Sequence, residues 1–344
     1  MEAAGVSLVG DIRDTTAMGL GAVSMRAPRI LLSGARLVRA AKNDGIQAAL
    51  LVNYSDFNAQ LAPMLHRLGI HVLWYGAPQI WAWRRGRGAS LRPHVDRMAV
   101  MLPFEERLWR DQGLDAHYVG HPAREVAVIT RSEARHALGL TNLAKTVAIL
   151  PGSRPHEVDA LLDPMLAGVD RLRRDRASID ARVLLAPSLD RATRDHARAR
   201  AAAYSIPTFD VNAARGAGAL LSAFDVVLTA SGTAALEAAL ARATPVIAYK
   251  VGLLTEVVAR ALVRTKHYAL PNLLLGRRAF PELLQRDVTA RGIAGAVAHS
   301  LDNRAELTAE CDAVLAALGE QRTPSVEVAA MLQPWLTDLS GARR

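Results

Sequence analysis

The sequence predicts an α/β fold of two halves, each a doubly wound parallel sheet, facing one another across a cleft. Three observations predict it. Apolar runs of strand length alternate with helical stretches along the chain. Those runs read as continuous Val, Ile and Leu, the pattern of strands covered on both faces. The alternating series occurs twice, which gives two Rossmann-like domains.

In the first half the strand runs are 48–54, 70–75, 97–102 and 116–119. In the second they are 147–150, 183–186, 206–209, 226–229 and 246–249, with helical stretches at 157–174, 189–203 and 233–242 between them. The polar stretch 130–145 separates the halves, so the domains are read as 1–135, 136–324 and a C-terminal helical piece, 325–344, that crosses back to the first. Ahead of the first strand, 28–42 has helical spacing. Ile30, Leu31, Gly34, Leu37, Val38 and Ala41 fall on one side, and Arg29, Arg36, Arg39 and Lys42 on the other. A basic amphipathic helix either covers a domain with its charges in water or lies on an anionic membrane surface.

At 344 residues, 51% of them apolar, the chain can bury two sizeable cores and is not a disordered protein. It contains no run of transmembrane length without charges, and its N-terminus lacks the basic-then-apolar pattern of a secretory signal. One cysteine, Cys311, excludes an internal disulfide and suits a reducing compartment. The net charge is +9, carried almost wholly by Arg, because Lys42, Lys145, Lys250 and Lys266 are the only lysines. That balance suits an anionic partner such as phospholipid or a phosphorylated substrate. No nucleic-acid recognition motif accompanies it.

Two glycine turns carry the chemistry. Leu150-Pro151-Gly152-Ser153-Arg154 follows the strand run at 147, and Ser231-Gly232-Thr233 follows the run at 226. A strand that turns through Gly into a helix leaves unpaired N–H groups that attract phosphate. Two such turns in one sheet suggest a diphosphate between them, hence a nucleotide or nucleotide-sugar. Arg154 adds a guanidinium fork for phosphate. Glu237, one helical turn beyond Thr233, is placed for ribose hydroxyls. Tyr249 and Lys250 end a strand on the ligand side of the sheet, where Lys250 either neutralises a leaving diphosphate or is a solvated residue after an edge strand. Asn272 follows a Pro in a loop and can read a sugar or base, and Glu282 and Gln285, three apart on a helix face, are counted with it among the candidate UDP-sugar contacts. In the first half Trp81, Trp83 and Arg84 sit in Pro78-Gln79-Ile80-Trp81-Ala82-Trp83-Arg84, with Trp74 close by. These rings form either an apolar wall for an acyl chain or sugar, or core packing. His121, in Gly120-His121-Pro122, is either a general base or a capping residue.

These motifs resemble the bacterial lipid-A-disaccharide synthase family. The matching text is Asp56-Phe57-Asn58, the Pro78 to Arg84 segment, Leu102-Pro103-Phe104-Glu105, Gly120-His121-Pro122, the two glycine turns with Glu237, and the segment from Leu270 to Leu274. The likeness covers nearly the whole chain. It implies a GT-B fold and an inverting glycosyltransferase. The donor would be UDP-2,3-diacylglucosamine, a substrate rather than a cofactor. The acceptor would be 2,3-diacylglucosamine 1-phosphate (lipid X), and the products a β-1,6-linked disaccharide phosphate and UDP. It also implies no cofactor and no metal, a peripheral place on the cytoplasmic face of the inner membrane of a Gram-negative bacterium, and a homodimer formed by exchange of C-terminal domains. Other UDP-sugar transferases or epimerases share the second turn, and a UDP-binding remnant is a further alternative.

Two departures from the family stand out. The first strand and the Ala-Gly-Glu-x-Ser-Gly-Asp loop of the family have no counterpart, and Met1 to Gly5 resembles text well inside the family pattern. A misassigned start or a truncated gene is therefore expected, leaving the first domain incomplete. The second departure is Asn53, where the family carries the Asp that is its candidate base. An amide cannot take a hydroxyl proton usefully at neutral pH. Either Asp56 or His121 then substitutes for it, or activity is low.

Overall fold

The computed structural model describes residues 5–10, 20–81, 86–126, 129–141, 144–176, 178–212, 216–251 and 267–337, with the backbone alone over 20–31. The chain divides into two compact units. One runs to Gly120 and takes back the chain from Arg322, and the other is built from described residues between His121 and Gln321.

The first unit contains α1 (Leu20–Asn43), β1 (Ala48–Val52), α2 (Ser55–His66), β2 (His71–Tyr75), α3 (Arg87–Leu91), β3 (Arg97–Val100), α4 (Pro103–Arg110) and β4 (Ala116–Tyr118). Its sheet has the order β1-β2-β3-β4, every pair parallel. Parallel neighbours need crossovers, which α2, α3 and α4 supply. Val72, Leu73 and Trp74 are consecutive and all fully buried, as a strand covered on both faces requires. The Leu37, Val38 and Ala41 side chains of α1 pack on this core, while Arg36, Arg39 and Lys42 are exposed. Trp74 belongs to the core, so of the two readings given to the tryptophan cluster this ring takes packing.

The second unit contains α5 (Arg131–Ala137), β5 (Lys145–Leu150), α6 (Pro155–Asp175), β6 (Ile179–Leu185), α7 (Arg191–Ala202), β7 (Thr208–Asp210), α8 (Gly218–Leu221) and β8 (Val226–Ala230). It continues through α9 (Thr233–Leu240), β9 (Thr244–Tyr249), α10 (Leu270–Leu275), β10 (Glu282–Leu284), α11 (Ala290–Asp302) and α12 (Arg304–Ala317). Six parallel strands take the order β10-β9-β8-β5-β6-β7. Side chains alternate across β5. Val147 and Ile149 join a core with α6 and α11, and Ala148 and Leu150 join one with α5 and α8. Cys311 on α12 is buried in a third cluster.

The strand order decides where a ligand can enter. The chain starts at β5 in the middle, moves out through β6 and β7, then returns to β8 on the other side and moves out through β9 and β10. Connections after β5 and β8 therefore leave in opposite directions, and a crevice opens at their carboxyl ends.

The last helix, α13 (Pro324–Thr337), packs on β1 and β2 of the first unit. Val328 is buried with Leu73, Ala99 and Val119. Trp335 stacks flat on His71 at 4.9 Å between ring centres, with the Arg97 guanidinium 4.8 Å from its own ring centre. Arg97 Nη1 also donates to the Met331 carbonyl at 2.9 Å. One local expectation is corrected here. Glu282 and Gln285 do not share a helix face, because Glu282 starts β10 and Gln285 opens a 3-10 turn, Gln285–Asp287.

Candidate active site

The crevice between β5 and β8 holds a cavity of about 290 Å³. Both glycine turns line it, through Gly152, Ser153 and Arg154 on one side and Ser231, Gly232, Thr233 and Ala234 on the other. Gly152 has φ +132° and Gly232 φ +154°, values that L side chains rarely adopt, so each turn needs the residue it has. After Gly232 the chain enters α9, whose first-turn N–H groups have no partner within the helix. Among the described lining residues Arg154 is the cation. Glu237 also lines the cavity, half-buried beside Gly218, and burial holds its carboxyl above the ordinary value.

One lining residue was not expected from the sequence. Glu157, in the first turn of α6, folds back over the first turn. Its Oε2 accepts the Ser153 N–H at 2.9 Å, and its Oε1 accepts from Arg154 Nη1 at 2.8 Å. An acidic residue in a first helical turn is ordinarily read as a partner of the helix dipole. The reach back to Ser153 depends on the turn's backbone, which no spacing rule reports.

Tyr249 and Lys250 close β9. Tyr249 stacks on Tyr268 at 6.2 Å, and burial, then Tyr268, then Glu157 push its hydroxyl above the ordinary value. Lys250 is exposed. Neither residue is among those that line the cavity.

Three expected ligand contacts are spent on the protein itself. Asn272 is 0% exposed. Its Nδ2 donates to the Phe280 carbonyl at 2.9 Å and to Glu282 Oε1 at 2.7 Å, and its Oδ1 accepts from the Ala279 and Phe280 N–H groups, both at 2.9 Å. The Glu282 carboxylate also accepts the Tyr268 and Ala269 N–H groups at 3.2 Å each. The Gln285 side chain bonds both ways to the Val251 backbone, accepting at 2.8 Å and donating at 3.2 Å. In this structure Asn272, Glu282 and Gln285 bond within the chain. Their polar atoms tie β10 to α10 and to the end of β9.

In the first unit Asn53 is exposed after β1, with φ +46°, a left-handed conformation that Asn tolerates better than most residues. Asn58 Nδ2 donates to its carbonyl at 2.7 Å. Asp56 stands in the first turn of α2, its Oδ1 accepting from Arg87 Nη2. Trp81 donates from Nε1 to Glu105 Oε1 at 2.9 Å and meets Phe104 edge-on at 5.7 Å. Glu105 is 3% exposed, its Oε2 accepts the Leu102 N–H at 3.0 Å, and burial raises its carboxyl from 4.5 to about 7. Trp83 and Arg84 lie outside the described residues.

His121, in the second unit, caps the turn Pro122–Arg124: its Nδ1 accepts the Ala123 N–H at 3.1 Å. The proton therefore sits on Nε2, and burial lowers the ring from 6.5 to about 4. In this conformation its lone pair is occupied by the cap and burial reduces its basicity. Of the two readings given above, the structure takes the cap.

A family model of lipid-A-disaccharide synthetases matches residues 1–332. The chain is 42% identical over 325 residues to a lipid-A-disaccharide synthase of Anaeromyxobacter sp. (strain K), covering 93% of this chain and 84% of that one. It is 40% identical to the enzyme of that name from Myxococcus xanthus, over 86% of this chain and 76% of the other. Among solved structures it resembles a putative UDP-N-acetylglucosamine 2-epimerase from Listeria monocytogenes, with a TM-score of 0.61 at 13% identity over 89% and 79% of the two chains. That likeness is one of fold, the GT-B fold.

Proposed function

The chain belongs to the lipid-A-disaccharide synthase family, a glycosyltransferase of lipid A synthesis, and on that premise we propose how its residues carry the transfer. The donor is UDP-2,3-diacylglucosamine. Its diphosphate takes the N–H groups of the two glycine turns and the Arg154 guanidinium, and its ribose hydroxyls donate to Glu237. The acceptor is 2,3-diacylglucosamine 1-phosphate. Its 6-hydroxyl oxygen bonds to the anomeric carbon from the face opposite the diphosphate. The C1–O bond to the β-phosphate breaks, and its electron pair leaves with UDP. The amide groups and Arg154 stabilise the charge that develops there. With His121 occupied as a cap and an amide at position 53, Asp56 receives the hydroxyl proton.

The observation that carries the donor reading is the cavity at the β5–β8 switch point, lined by both turns and by Arg154. Calorimetric titration tests it. Arg154→Ala is expected to weaken UDP at least roughly tenfold, the loss of a charge-assisted contact, and to leave uridine unchanged. Equal losses for both ligands would remove Arg154 from the phosphate. The base assignment has its own test in transfer kinetics. Asp56→Asn lowers kcat with UDP affinity intact, and Asn53→Asp raises it. An Asp56→Asn enzyme of undiminished kcat would end that assignment.

The proposal extends to the setting. Among the described residues no helix is long and apolar enough to cross a membrane. Arg36, Arg39 and Lys42 on α1, with Leu32 exposed beside them, suit the cytoplasmic face of an anionic bilayer. Salt-sensitive sedimentation with anionic vesicles checks this. Pairing by exchange of C-terminal domains rests on family resemblance, and sedimentation equilibrium reads it.

A further inference from the structure

The donors assigned above to the diphosphate already serve a carboxylate of the chain itself. Glu157 accepts from the Ser153 N–H and from Arg154 together, one oxygen to each. Gly152 makes that approach possible: a Cβ there would lie 2.5 Å from Glu157 Cβ and 2.6 Å from Oε2. The residues Gly152, Ser153 and Arg154 therefore cup an anionic group, with geometry matched to a carboxylate two hydrogen bonds wide.

A phosphate and this carboxylate cannot both hold the same N–H and the same guanidinium nitrogen. Placed side by side they would also repel, in a cavity whose lining includes a second carboxylate at Glu237. We propose that Glu157 is an internal competitor for the phosphate cradle, displaced by a diphosphate and left in place by a ligand that lacks one. It is then a specificity-determining residue. A diphosphate recovers the two contacts with more charge and more acceptor oxygens, whereas a bare nucleoside offers nothing that exchanges for them. The cradle is also kept paired between turnovers, so no anion of low charge settles there. This inference rests on the donor-site reading given above.

Titration of UDP and uridine into the full-length chain, wild type and Glu157→Gln, tests it. Gln keeps the shape, and its oxygen can still accept the Ser153 N–H, but its amide cannot accept from Arg154. UDP is expected to bind roughly tenfold more tightly to Glu157→Gln, about the worth of one charge-assisted hydrogen bond released, with uridine unchanged. In transfer assays the donor KM falls and inhibition by product UDP strengthens. A weaker UDP complex would overturn the inference, since Glu157 would then be acting to position Arg154. Equal affinity would overturn it too, as would a matching gain for uridine. UDP that binds neither protein would remove the donor site along with the inference, whereas UDP that binds wild type but gains nothing in the variant removes the inference alone. Should Glu157→Gln fold poorly, Glu157→Asp, one methylene too short to span both donors, is expected to move in the same direction.

Discussion

Replacing Asn272 by Ala separates two accounts of one residue. The sequence reading makes it a ligand contact, and the structure makes it a clasp. The side chain is 0% exposed and makes four hydrogen bonds, two of them accepted from successive N–H groups at Ala279 and Phe280. Ala removes all four. The Phe280 N–H and carbonyl are then buried with no partner from this residue, and Glu282 loses one of its donors. A buried polar group left unsatisfied costs roughly 1–3 kcal/mol, so the variant should lose about 4 kcal/mol of stability in the second unit. Because the chain has two units, the loss is best read locally. Amide hydrogen exchange at residues 279–284 should accelerate strongly, and the denaturant transition of this unit should move to lower urea. In whatever fraction stays folded, UDP should bind within a few-fold of wild type. Asn272→Asp adds a signature of its own. Its carboxylate would face both the Phe280 carbonyl and Glu282, an arrangement tolerated only while one proton is shared. That variant should therefore be more stable at pH 5 than at pH 8. An Asn272→Ala protein that melts within 1 kcal/mol of wild type yet loses UDP binding tenfold would refute the clasp.

Two further outcomes follow from the first unit. Burial raises Glu105 from 4.5 to about 7, so between those pH values the folded state binds the proton more tightly than the unfolded one. Stability should fall as pH rises through that window, by about 3 kcal/mol at roughly 1.4 kcal/mol per pH unit. Glu105→Gln should flatten the slope in urea titrations at pH 5 and pH 8. Trp335→Ala should remove the stack on His71 and the Arg97 contact, costing about 2 kcal/mol for a half-buried ring. Faster hydrogen exchange across α13, with the second unit unaffected, would report it.

The strands of both sheets were legible because Val72 to Trp74, or Val226 to Leu228, must be apolar without alternation to be covered on both sides. The glycine turns were legible for a related reason, since a backbone at φ +132° leaves few alternatives to Gly. The third strand after the switch, β10, was not. Glu282, Leu283 and Leu284 are too few to show a period, and the spacing of Glu282 and Gln285 imitates a helix. The fates of Trp74 and Trp81 differ although they are seven residues apart in sequence. One falls on a central strand, and the other in a loop where Glu105 can reach its ring nitrogen. The roles of His121 and Glu157 were hidden more deeply. Each involves a backbone N–H, at Ala123 and, alongside Arg154, at Ser153, and the direction of that N–H is set by the turn rather than by residue type.

The seat of α13 has a consequence for how the protein is made. Leu73, Ala99 and Val119 emerge from the ribosome long before Val328, which covers them. Throughout synthesis of the second unit that apolar face of the first lacks the cover that residues 324–337 bring to it. Folding of the first unit is therefore completed only after the second unit has been made. Nascent chains stalled before residue 324 should be captured by chaperones through their first 120 residues, and release past 337 should free them.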